Sequence, residues 1–125
     1  MTRELVMYNR LRPCPWVTLA KQTLQLHGVA WREVLIDEDD AARERLLAWV
    51  GFLSVPTLIV AAPGSDLPLG EPAALAAGSN PRGVDRGCLI TEPGMAQLSA
   101  WLQRNGLLTP ARLARPGIDS ARPGK

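Results

Sequence analysis

The sequence predicts an α/β fold: a four-stranded mixed sheet flanked by helices, in the order β-α-β-α-β-β-α. Three observations carry this. Apolar runs of strand length recur along the chain, the longest being Val55 to Ala62. Between them lie stretches with apolar residues at helical spacing, closed by glycine. The first two β-α steps imply parallel strands joined by right-handed crossovers, and the last two strands have no helix between them and are expected to be antiparallel.

Residues Glu4 to Tyr8, "ELVMY", read as a short buried strand, followed by the loop "NRLRP". A helix is expected from Pro15 to His27, because Pro15 suits a first helical turn and Val17, Ala20, Thr23, Leu24 and His27 share one face. The second strand falls within Val29 to Asp37. Asp39 or Asp40 then caps a helix over Ala41 to Val50, closed by Gly51. The third strand is Thr57 to Ala61. Residues 62–86 are rich in Pro, Gly and Ala and read as a mobile inserted loop. A fourth strand is expected over Gly87 to Thr91. A last helix follows over Pro93 to Asn105, with Thr91 or Glu92 near its N-cap. The domain is thus expected to span residues 1–108, and residues 109–125 form a basic tail with no core-forming pattern, expected to be disordered.

The 125 residues suit one domain with one core, supported by 46% hydrophobic content. A net charge of +2 and 5% aromatics make no case for nucleic acid as a partner. The first residues lack the apolar run of a secretory leader, and no run reaches membrane-spanning length. The expectation is a cytoplasmic monomer without a membrane partner. Two cysteines in such a chain point to chemistry before a structural disulfide.

The chemistry concentrates in Arg12-Pro13-Cys14-Pro15-Trp16-Val17. Cys14 stands just before a helix, where unpaired N–H groups and the helix dipole favour the nucleophilic thiolate. Arg10 and Arg12 add positive charge nearby. The alternative is a small buried cysteine that only packs.

The stretches "LVMYNRLRPCPWVTLAKQTL", "HGVAWREVLIDEDDAARERLLAW" and "GFLSVPTLIV" resemble the glutaredoxin family, part of the thioredoxin-fold superfamily. They cover residues 4 to 61 almost without a gap, and the decisive element is Cys-Pro-Trp combined with Ser54-Val55-Pro56-Thr57 at the family's separation. The resemblance over 87 to 108 rests on strand-then-helix order alone. The resemblance implies a thioredoxin fold. It makes Cys14 the thiol that forms a mixed disulfide, and Pro56 a cis proline facing it. The Val55 backbone would pair with glutathione or an incoming peptide, and Arg10 would help bind the glutathione carboxylate. Thr91 would offer an N-cap hydroxyl where the last helix can take a carboxylate.

The chain also departs from that pattern. Val17 stands where a second cysteine would resolve the mixed disulfide, so this motif cannot cycle as a dithiol. A monothiol route remains: Cys14 takes glutathione from a glutathionylated or otherwise disulfide-containing partner, and a second glutathione, the reductant, clears it. Cys88 is a candidate resolving thiol, with a buried strand cysteine as the reading preferred over it. Trp16, Trp49, Phe52 and Leu53 can form an apolar rim around Cys14, with a core position for Trp49 as the equal alternative. Such a rim would suit a protein partner or apolar ligand. Cluster-carrying monothiol relatives usually have Gly and Ser at the positions of Pro15 and Val17, which disfavours an iron–sulfur cluster. His27 reads as a helix cap or surface residue, and no metal site is expected. The expected function is a monothiol, glutathione-dependent thiol–disulfide oxidoreductase. The alternatives are an iron–sulfur carrier and a non-catalytic binding module.

Overall fold

The computed structural model describes residues 3–108. The tail expected over 109–125 lies outside the described residues. The elements are β1 (Glu4–Asn9), α1 (Pro15–Leu26), β2 (Arg32–Leu35), α2 (Asp40–Val50), β3 (Thr57–Ala61), β4 (Leu89–Thr91) and α3 (Met95–Arg104). The sheet order is β2-β1-β3-β4. β1 runs parallel to β2 and antiparallel to β3, and β3 runs antiparallel to β4. This mixed sheet with three helices is a thioredoxin-type α/β fold.

Local chemistry explains the helix ends. Pro15 occupies the first turn of α1, where no N–H is needed. The Asp39 carboxylate accepts the Ala42 N–H of α2 at 3.1 Å. Gly51 closes α2 in the left-handed region, at φ 97°. Val17, Ala20, Thr23 and Leu24 form the buried stripe of α1. From α3, Leu98, Trp101 and Leu102 enter the core. All residues of β3 are buried, as befits a central strand covered on both faces.

Two sequence expectations need correction. β3 does not continue the parallel direction of β1. Leu35 at the end of β2 lies opposite Asn9, and Thr57 at the start of β3 lies opposite Tyr8. The chain therefore leaves β2 and enters β3 at the same end of the sheet, so α2 is not an end-to-end crossover. The last helix starts later than expected, with Gly94 rather than Thr91 or Glu92 at its N-cap. Gln97 reaches back to accept the Gly94 N–H at 2.6 Å, the reciprocal half of a capping box. His27 follows α1 as its C-cap, in keeping with the cap reading, and is buried, with Nε2 3.1 Å from Ser99 Oγ of α3.

The inserted segment is not loosely attached. Leu69 N–H donates to Val60 O at 2.9 Å, Ala73 N–H to Arg86 O at 2.9 Å, and Gly83 N–H to Thr91 O at 2.8 Å. Asp66 pairs with Arg32 at 2.6 Å, and buried Arg86 donates to Ala73 O and Trp49 O. Few of these residues supply apolar area, so polar contacts hold the segment, and apolar periodicity could not have revealed them.

Arg104 and Asp85 fasten the end of this segment to α3, with Nε–Oδ2 at 2.6 Å. Burial raises the Asp85 carboxyl, but the Arg104 hydrogen bond and the Gly87 N–H more than reverse this and leave it below its ordinary value. A carboxyl lowered on folding stabilises the native state above its unfolded pKa, and this is lost as pH falls through the folded pKa. D85N is therefore expected to flatten the loss of stability below about pH 4, measured as thermal midpoint against pH. An unchanged acid limb would refute this role.

Candidate active site at Cys14

The site forms at the end of the sheet where β1 stops and β3 begins. Asn9 ends β1 and accepts the Arg10 N–H at 2.7 Å through Oδ1. Leu11 N–H is held by the Asp37 carboxylate at 2.6 Å. This loop delivers Cys14 as the N-cap of α1, with extended backbone at φ −144° and ψ 127°. The thiol does not cap its own helix. It reaches across to Val55 O, a long sulfur contact of 3.8 Å. Cys14 is half-buried and is not in a disulfide.

Val55–Pro56 is a cis peptide, so the cysteine faces the residue just before the bend that starts β3. Beneath that bend lies a buried hydroxyl cluster. Thr57 Oγ1 donates to Ser54 O at 2.8 Å, and Thr91 Oγ1 sits 2.7 Å from Ser54 Oγ. Thr91 Oγ1 also reaches Pro56 O at 3.3 Å. Glu92, a non-glycine residue in the left-handed region at φ 42°, donates its N–H to Pro56 O at 2.8 Å. Its carboxylate accepts the Ser54 hydroxyl and, at 3.0 Å, Arg82 Nε. Thr91 at the end of β4 and Glu92 just after it thus fix the Pro56 carbonyl.

The candidate residues separate in space. Val55 and Pro56 meet Cys14 directly or through their shared peptide. Trp16 is 43% exposed on the first turn of α1, with Leu11 (63%) and Leu53 (37%) also open to solvent. Arg10 is half-buried, and its Nε is enclosed without a hydrogen-bond partner. Thr91 is fully buried in the hydroxyl cluster. It braces Pro56 and caps no helix, because β4 carries it into the sheet before α3 begins. Trp49 is not a rim residue: it packs edge-on to Tyr8, ring centroids 5.3 Å apart. Val17 is 6% exposed and belongs to the core.

Cys88 precedes β4. Its carbonyl accepts the Val60 N–H, three positions along β3 from Thr57. At the usual strand rise this is about 10 Å along the sheet from the site end. Its thiol donates to Gly70 O of the insert at 3.1 Å. It is half-buried rather than the fully buried strand cysteine of the preferred reading, because it stands at the strand's entrance. A cavity of about 370 Å³, lined by Arg3, Leu5, Val29 and Leu107, opens at the opposite end of the sheet and carries no nucleophile.

The cysteine before a helix, facing a Val-Pro turn at the head of a central strand, decides the comparison with known proteins. Residues 5–62 match the glutaredoxin family model. Over that segment the chain is similar to the glutaredoxin family. No curated protein matches the chain. The glutaredoxin segment contains Cys14, Val55 and Pro56 and ends at Ala62, where the insert begins. Members of the family are thiol oxidoreductases that generally use glutathione. Arg82, Thr91 and Glu92 lie beyond the glutaredoxin segment, and nothing in their local sequence pattern marked Arg82 or Glu92 as site residues. No helix among the described residues is long and apolar enough to cross a membrane.

Proposed function

We propose that this glutaredoxin-like protein is a monothiol, glutathione-dependent thiol–disulfide oxidoreductase with Cys14 as nucleophile. The observation that carries the reading is the Cys14 thiol at the N-cap of α1, aimed at the carbonyl of Val55 beside the cis Pro56. In the first step the Cys14 thiolate attacks the glutathione sulfur of a glutathionylated substrate. A new Cys14–sulfur bond forms, the old sulfur–sulfur bond breaks, and the second sulfur leaves with the electron pair as a thiolate that takes a proton from solvent. In the second step glutathione thiolate attacks the mixed disulfide. It forms oxidised glutathione and regenerates the Cys14 thiolate. Two glutathione electrons reduce the substrate, and the protein returns unchanged.

The proton on Cys14 is what Val55 O can accept. Once Cys14 has attacked, its sulfur has no proton to donate there. Val55 O is then free to accept an N–H from the extended backbone of a bound substrate. Arg10, by the family resemblance, would hold a substrate carboxylate through its guanidinium. Trp16, Leu11 and Leu53 suit the apolar parts of a partner. The reaction needs a supply of reduced glutathione, which fits a cytoplasmic setting.

The experiment is an assay of glutathione release from a glutathionylated peptide, with glutathione as reductant. Wild-type turnover above the buffer rate supports the reading, and none refutes it. The monothiol assignment has its own test in V17C, which restores the two-cysteine spacing. After treatment with oxidised glutathione, V17C is expected to accumulate an internal disulfide between Cys14 and the introduced thiol, and to gain reduction of protein disulfides. Its stability should fall by about 1 kcal/mol, since a core methyl group is lost. Retention of the glutathionyl adduct on V17C, with no internal disulfide, would contradict the geometry assumed for the resolving position.

A further inference from the structure

We propose that Arg82, supplied by the inserted segment, anchors a carboxylate of the disulfide substrate at the Cys14 site. The inference rests on the reading of Cys14 as an exchanging thiol and adds the feature by which substrates are chosen.

The placement of Arg82 is over-determined. Arg82 forms a parallel bridge with Thr91, and Gly83 N–H donates to Thr91 O at 2.8 Å. Thr91 in turn lies opposite Thr57, the residue after Pro56. Gly83 has φ +76°, and a Cβ there would come within 2.6 Å of the Gln97 side chain at the start of α3. The insert therefore climbs the outer edge of β4 and turns at the site end of the sheet. This puts the Arg82 backbone two strand spacings, about 10 Å, from the head of β3. The side chain points back across that gap. Nε lies 3.0 Å from Glu92 Oε1, and the guanidinium carbon lies 5.0 Å from the centre of the Phe52 ring, three residues before Val55.

The hydrogen-bonding of the pair favours a ligand role over a simple surface ion pair. The Glu92 side chain is only 10% exposed, and its two oxygens are taken by Ser54 and Arg82. Arg82 is 48% exposed and uses Nε alone, and among the described residues its two terminal nitrogens donate to no protein group. A guanidinium held by one edge on a fixed carboxylate and by its face on an aromatic ring presents its remaining edge in a set direction. That edge matches a carboxylate. Arg10 precedes Cys14 on the β1 side, and Arg82 stands beyond β4. A disulfide laid along Val55 thereby meets the Arg82 guanidinium on its β4 side. Arg82 exchanges no proton or electron. It only orients the disulfide while Cys14 forms the new sulfur–sulfur bond and the departing sulfur leaves as thiolate.

The test is the single-turnover rate of mixed-disulfide formation at Cys14. Oxidised glutathione is compared with its ethyl ester, which has the same disulfide but masked carboxylates. R82Q is expected to lower the ratio of the two rates by about tenfold, and R82K to restore part of it. High salt should lower the wild-type ratio in the same direction, a readout that survives even if R82Q folds poorly. A second pair of substrates, peptide disulfides with glutamate or glutamine beside the cysteine, separates the sources of the carboxylate. A lowered ratio with the peptides alone assigns it to a protein partner, and one with oxidised glutathione alone assigns it to glutathione. Ratios unchanged in both pairs, or equal losses on the masked and unmasked members, would overturn the role of Arg82. If wild-type Cys14 forms no mixed disulfide with any of the four substrates, the reading of Cys14 itself fails, and the anchor with it.

Discussion

Cys14→Ser is expected to reduce thiol–disulfide exchange to the rate of buffer alone, while leaving the fold in place. A serine hydroxyl stays protonated at neutral pH with no base beside it, so it cannot attack a disulfide. The exchange of one sulfur for one oxygen at a half-buried N-cap costs little packing, and serine is a better capping residue than cysteine. The variant should therefore show an unchanged thermal midpoint beside complete loss of turnover in the glutathionylated-peptide assay. Cys88→Ser is the matched control. Its sulfur donates to Gly70 O, about three strand positions from the site end, and a hydroxyl can donate there as well. It should keep full turnover. Exchange that survives in C14S and vanishes in C88S would move the chemistry to the other cysteine.

Trp101→Ala is expected to have the largest effect on stability, about 3–5 kcal/mol. Trp101 is fully buried on α3 and is the largest of the fully buried side chains. Its Nε1 donates to Gly87 O at 2.9 Å, tying the helix to the residue where the insert turns into β4. Alanine leaves both a cavity and a carbonyl with one donor fewer. For a domain of this size the loss corresponds to a fall in thermal midpoint on the order of 20 °C. A fall of a degree or two would mean that α3 does not brace the β4 side of the sheet.

What could be read from the sequence was what is encoded locally. The Pro15 start of α1, the Asp39 cap and Gly51 stop of α2, and the short apolar run of β3 each depend on a few adjacent residues, and each appears where the sequence places it. The pairing of Cys14 with Val55-Pro56 was legible through a family resemblance, since 41 residues separate the two partners of the sulfur contact. The direction of β3 was not legible. A β-α-β order suggests a crossover, and only the register reveals that α2 returns the chain to the end of the sheet it left. Thr91 was misassigned for a related reason. A hydroxyl before a helical stretch looks like a cap, but here it is drawn into the sheet by Ser54 and Thr57. Arg82 carried no signal in a Pro- and Gly-rich segment. Its place depends on one backbone bridge to β4 and on a glutamate whose positive φ turns its carboxylate toward Ser54.

The most direct test of a one-cysteine exchange is intact-mass and peptide-mapping spectrometry of the protein after a brief exposure to a glutathionylated peptide. The expected result is a single glutathionyl group on Cys14, none on Cys88, and its removal on adding reduced glutathione. A glutathionyl group confined to Cys88, an internal Cys14–Cys88 disulfide, or no adduct on either cysteine would contradict it.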